Sequence, residues 1–193
     1  MPHSSTVSFI SYWRGLQPSP ERAPARDRFD PARLKSLIPQ MMMIAATDPA
    51  YRFRLSGGFL VALHGHELKD TSFLDLFQPP FVNPVRVALG TAMRRQQPLV
   101  LRLAAPWRVH RATDPDASRN ETVSLEVCLC PMSNSEGAVD RLVGICQTLS
   151  PMPRNRHGAV GPYTLTSARL YDHHSLVRAA HLRLVASDGR RIA

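Results

Sequence analysis

The densest chemistry in the chain lies in four consecutive residues, His64-Gly65-His66-Glu67. Two imidazoles and a carboxylate are ordinary zinc ligands, and an imidazole can also bind haem iron or move protons. The spacing works against a shared site on a helix, because residues two apart diverge by about 200°. A glycine between them points instead to a turn in which Gly65 adopts a positive φ, with Glu67 capping the turn or pairing with an arginine. No third ligand cluster stands at metal spacing, so no metal is expected. A metal or haem site through His64 and His66 is the lesser alternative.

Cysteine chemistry is the next candidate. Cys128, Cys130 and Cys146 are the only three cysteines. Cys128 and Cys130 share one face of an alternating stretch, about 7 Å apart at roughly 3.3 Å per residue, at the edge of disulfide geometry. The expectation is small buried hydrophobes, with Cys128 and Cys130 lining an interface. Asp172-His173-His174 resembles part of a phosphoesterase motif but lacks companion aspartate clusters. No glycine-rich phosphate loop, nucleophile elbow or paired catalytic carboxylates occur. A protein without enzymatic activity is expected.

The elements that must hold these residues follow from hydrophobic periodicity. Residues 7–16 carry apolar side chains at helical spacing, with Tyr12 and Trp13 costly to leave in water. These two rings dock that helix on a sheet or on a second subunit. Residues 17–28 are a Pro- and Arg-rich linker, and Asp30-Pro31 pairs an N-cap with a first-turn proline. Residues 40–48 and 51–57 read as a hairpin in which Tyr51, Phe53 and Leu55 share a face. Short helical pieces follow at 59–65 and 73–77, the second capped by Thr71 or Ser72. Asn83-Pro84 opens a longer helix to about Gln97, with Val85, Ala88, Leu89 and Ala92 on one face. Three strands come last: the alternating stretches 99–107 and 121–132, and a final strand at 139–149. Two early strands, a helical middle and three hairpin-linked late strands define an α+β domain, a five-stranded antiparallel sheet with helices packed on one face.

Charge locates what the sheet does not use. The formal net charge is +9, and residues 149–193 carry seven arginines against two acids. That tail could bind nucleic acid or an anionic surface. It shows no helix-turn-helix, zinc finger or aromatic–basic RNA motif, so nucleic acid is disfavoured against a solvated or partner-docking tail. Its second half could form a helix through Leu170, Leu176, Val177, Ala180 and Leu184, or order only on binding. The division expected is an N-terminal helix and linker (1–29), a folded domain (30–149) and a basic extension (150–193) that is partly disordered or helical. No apolar run long enough for a membrane helix and no signal-peptide pattern is visible, so the cytoplasm is the expected place.

This order of elements resembles a PAS domain, and in particular a family of short stand-alone bacterial PAS-like proteins. The residues that carry the resemblance are Tyr12-Trp13-Arg14, Asp30-Pro31 with Leu34, and Leu37-Ile38-Pro39. To these are added "RFRLSG" (52–57), Val61, Gly65, Glu67, Leu68, "SFLDLF" (72–77), Pro131 and "VDRLVGI" (139–145). It spans about residues 7–149, with a long 108–120 loop and the 150–193 extension outside the pattern. The resemblance implies a sensory or regulatory module in signal transduction, with a cavity between sheet and helices that can hold haem, flavin, a small metabolite or nothing. If an apolar ligand binds, Phe53, Leu55, Leu63, Leu74, Phe77, Leu89, Leu101 and Leu125 line it. The flavin photochemical subclass needs a cysteine on the central helices, and none precedes residue 128; no cofactor is assigned. The resemblance also implies contact with a protein partner or a second copy through the sheet face and N-terminal helix, at Tyr12, Trp13, Cys128 and Cys130.

Overall fold

A computed structural model describes residues 1–47, 49–109, 121–153, 158–172 and 180–182. The chain begins with helix α1 (Ser4–Gly15), capped by the His3 imidazole, which accepts from the Ser5 amide. The 17–28 linker is laid against the sheet: Ser133 donates its amide to the Pro24 carbonyl, and Ala23 donates to the Gln96 side chain. Asp30 caps a 3-10 segment, Pro31–Gln40, by accepting from the Ala32 amide.

Strands β1 (Met41–Ala45) and β2 (Phe53–Ser56) form the early hairpin. Helix α2 (Gly58–His64) ends at Gly65, whose φ of 74° lies in the left-handed region where an L side chain is strained. The Ser72 hydroxyl caps the 3-10 turn Phe73–Leu76 by accepting from the Leu74 amide. Helix α3 (Pro79–Arg95) starts four residues before the expected Asn83 cap. Gln78 is its N-cap and Pro79 its first residue, and Pro84 sits inside the helix. A first-turn proline lacks only an amide that has no helical partner, so Pro79 serves as well as Pro84. The buried face is Val85, Ala88, Leu89 and Ala92, as the spacing predicts.

Strands β3 (Leu99–Val109), β4 (Thr122–Ser133) and β5 (Val139–Thr148) complete an antiparallel five-strand order β2-β1-β5-β4-β3. The sheet does not stop there. β6 (Gly158–Val160) and β7 (Thr164–Leu170) both pair antiparallel with β3, and β8 (Ala180–Leu182) pairs with β7, giving eight strands rather than five. Leu170 and Ala180 from the expected C-terminal helix therefore lie in strands. Leu176, Val177, Leu184, His173, His174 and every arginine after residue 148 except Arg169 lie outside the described residues. The reason for the strand is legible after the fact: Tyr163, Leu165, Ala168 and Leu170 are all buried on one side, with a bulge where β3 shifts register between Arg102 and Leu103. A hydrophobic set of that kind, beside an otherwise bare edge strand, pairs before it coils.

Two apolar layers sandwich the sheet. The inner layer packs α2, the 3-10 turn and α3 on the concave face, through Ile44, Phe53, Leu63, Phe73, Leu89, Leu101 and Leu125 among others. The outer layer packs Phe9, Ile10 and Trp13 of α1 on Val100, Cys128, Cys130, Val143 and Ile145. Three large side chains of α1 are thus removed from water, each contributing on the order of 1.5–3 kcal/mol. Among the described residues no helix is long and apolar enough to cross a membrane.

Candidate functional site

The inner layer brings together Phe53, Leu63, Leu74, Phe77, Leu89, Leu101 and Leu125 in one buried cluster. Leu55 is not among them and is 50% exposed. The cause is a register shift between Met43 and Ile44: Ile44 pairs with Phe53 but Met43 pairs with Leu55, so Arg54 is the extra residue. One inserted residue sends Leu55 to the opposite face from Phe53, and the alternation Tyr51–Phe53–Leu55 does not survive it. The layer is closely filled by edge-to-face rings, with Phe53–Phe73 centroids at 5.8 Å, Phe73–Phe77 at 5.4 Å and Phe77–Tyr163 at 5.5 Å.

Tyr163 is the residue that sequence reasoning missed. It is 1% exposed and reaches the layer from the β6–β7 connection. Its amide donates to the Leu76 carbonyl, and its own carbonyl accepts from the Gln78 amide, clamping the extension to the turn before α3. Its hydroxyl lies 2.8 Å from His64 Nε2. The signal that could have found it is Gly161-Pro162 followed by the alternation Tyr163, Leu165, a turn and a strand rather than a tail.

This contact fixes the state of His64. Burial lowers its pKa to about 4, with the nearby His66 adding to the effect. The imidazole is neutral near pH 7, and one hydrogen is shared between its Nε2 and the phenolic oxygen. Burial pushes the Tyr163 hydroxyl well above its usual range, with Cys146 adding to this, and pushes the Cys146 thiol up to about 12. His66 is exposed, with Nδ1 2.9 Å from the Glu67 carbonyl. Among the described residues no three His, Cys, Asp or Glu side chains converge as a metal site. His64 and His66 are brought near each other, with ring centroids 6.1 Å apart, yet the Nε2 of His64 is already engaged.

On the outer face, the four residues expected at an interface all contact their own chain. Trp13 donates its indole N–H to the Pro131 carbonyl at 2.8 Å and is 1% exposed. Tyr12 exchanges hydrogen bonds with the backbone of Asp30 and stacks edge-on against Phe29. Cys128 and Cys130 are fully buried beneath α1 with sulfurs 4.0 Å apart, both as free thiols. The face is covered because α1 is tethered at both ends to β4. At the start of the helix the buried Glu126 carboxylate accepts from the His3 amide at 2.8 Å and pairs with Arg102 at 3.4 Å. A carboxylate at a helix N-terminus is favoured by the free amides and helix dipole. Farther along, Trp13 holds Pro131.

An antiparallel sheet with its helical crossover on one face and an N-terminal helix on the other is the architecture that the PAS resemblance implied. A family model described as a PAS domain matches residues 1–147, and the chain belongs to that family. As a PAS domain it is a sensory, signal-transduction type of module. No curated protein matches the chain. Among solved structures, it is similar to the LOV protein of Rhodobacter sphaeroides (11% identity, TM-score 0.43, 66% of this chain and 73% of that one). It is also similar to the blue-light photoreceptor Aureochrome1 LOV (13% identity, TM-score 0.41, 61% and 87%). A third is a sensory box sensor histidine kinase from Vibrio cholerae (8% identity, TM-score 0.39, 63% and 90%). The strap of residues 158–172 that carries Tyr163 lies beyond the residues matched by the family model.

Proposed function

We propose that this chain is a non-catalytic sensory module whose output is a protein–protein contact made by α1, with a second copy of the chain as the partner. The observation that carries this reading is the double tether of α1 to β4, through Glu126 at its start and Trp13 onto Pro131. The same strands pack the inner layer on their other side. A shift of α2 or α3 against that layer must move the strands, and α1 moves with them, because packed interiors transmit strain. The outward stripe of α1 is Ser4, Ser8, Ser11 and Gly15, small and uncharged. Small side chains allow another helix to approach closely.

The absence of catalysis is supported by the state of the buried groups. Cys146 is held as an unreactive thiol and His64 is neutral with Nε2 occupied. A small apolar ligand among Phe53, Leu63, Leu74, Phe77, Leu89, Leu101 and Leu125 is the second part of the reading, and its entry requires these rings to repack.

Native mass spectrometry and light scattering on the full chain test the proposal. A dimer that Ser8→Arg or Ser11→Arg converts to monomer is the expected result. A monomer at all concentrations, or a dimer indifferent to both substitutions, rejects α1 as the contact. A co-purifying organic molecule supports the ligand part, and its absence removes it.

A further inference from the structure

A cleft of about 290 Å³ opens beside the His64–Tyr163 pair, where the turn Phe73–Leu76, the end of β3 and the strap before β7 meet. Asp75 enters it from the turn, Arg108 from β3 and His66 from the segment after α2. Leu76, Val160 and Pro162 supply its apolar surface. Four of its nine lining residues thus come from the strap, beyond the residues matched by the family model.

Three features define what such a cleft can hold. First, it carries one formal negative and one formal positive charge, on Asp75 and Arg108. Neither side chain forms an ion pair with another described residue. A lone anion would face Asp75, and a lone cation would face Arg108; a molecule bearing both charges satisfies both. Second, Arg108 lies close against the strap. Gly161 lies so close that a Cβ there would sit 2.8 Å from the guanidine Nε, and the Gly161 amide is fixed by the Pro106 carbonyl at 2.7 Å. A side chain at 161 would crowd both Arg108 and the Pro106 ring, which lies equally close at 2.8 Å. Third, the volume lies just below the roughly 300–1,000 Å³ range of small-molecule pockets, which fits a metabolite of amino-acid size.

We propose that the cleft between Asp75 and Arg108 binds a free aliphatic α-amino acid, its ammonium on Asp75, its carboxylate on Arg108 and its side chain on Val160, Leu76 and Pro162. Binding there joins the turn before α3 to the strap, the two segments already linked by the Tyr163 backbone. This site borders the inner layer through Val160, Leu76 and His64 but does not depend on the output surface of α1. Because both charges are exposed, the affinity is on the order of millimolar, and added salt weakens it.

The test is a heteronuclear NMR titration of the full chain at low ionic strength with L-valine, isobutylamine and isovalerate, the last two each lacking one of its charges. The expected result is saturable shifts confined to the amides around Asp75, Arg108 and Gly161, with each single-charge analogue binding about fivefold more weakly. Asp75→Asn and Arg108→Gln, both surface changes, should each weaken valine by about the same factor while leaving the remaining spectrum intact. Equal binding of either analogue, shifts that grow linearly without saturating, or saturable shifts elsewhere in the chain would each overturn the proposal.

Discussion

Tyr163 and His64, 99 residues apart in sequence, meet at 2.8 Å between the phenolic oxygen and the imidazole Nε2, both side chains buried. The tyrosine arrives on a strap that completes the sheet, and the histidine ends α2. This side-chain hydrogen bond adds to the backbone bonds of Tyr163 with Leu76 and Gln78 that join the C-terminal extension to the helical layer.

Removing that bond leaves the buried ring nitrogen of His64 unpaired. Tyr163→Phe should destabilise the protein by roughly 1–3 kcal/mol. Tyr163→Ala should cost about 3–5 kcal/mol, since a buried ring is lost as well. Urea unfolding gives both numbers. Hydrogen exchange adds a local check: in Tyr163→Ala the amides of β7 should lose protection before those of β4.

The same pair sets a pH dependence. His64 has a folded pKa near 4, below its ordinary value of 6.5. The unfolded chain therefore binds a proton that the folded chain refuses, and stability falls as pH drops from about 6.5 to about 4. The loss at the acid end is roughly 3 kcal/mol. Denaturation midpoints across this range should show the slope, and His64→Gln should flatten it. A slope unchanged by His64→Gln would assign it to other groups.

Trp13 is the pin of α1. Trp13→Ala removes the indole bond to Pro131 and the packing over Cys130, at a cost of about 3–5 kcal/mol. The consequence reaches the thiols. Cys128 and Cys130 should react with a thiol reagent in the wild type only through rare opening, and many times faster in Trp13→Ala, while Cys146 on the inner face is accelerated less. Equal acceleration at all three would mean global unfolding rather than release of α1.

Two neighbouring residues in β2 should behave in opposite ways. Leu55→Arg falls on a half-exposed side chain and should change stability by no more than about 0.5 kcal/mol. Phe53→Ala empties a site in the inner layer and should cost about 3–5 kcal/mol. The comparison reads the bulge directly, since without it both side chains would be buried together.

Much of this molecule follows from local rules. Alternation gave β3 and β4 their inner faces, because a strand buried on one side can place its leucines and valines only every second residue. Asp30 and Ser72 announced their caps, and Gly65 its left-handed turn, since each answers to its immediate neighbours. Three matters were decided by tertiary structure alone. Leu55 left the inner face because pairing with β1 admits an extra residue, and register belongs to two strands rather than one. Cys128 and Cys130 are covered by α1 of their own chain because Glu126 and Pro131 capture that helix from more than a hundred residues away. Tyr163 became a core residue because the edge of β3 recruits a segment whose own pattern is short and interrupted. A strand edge lacking partners is a property of the assembled sheet, and no window of sequence contains it.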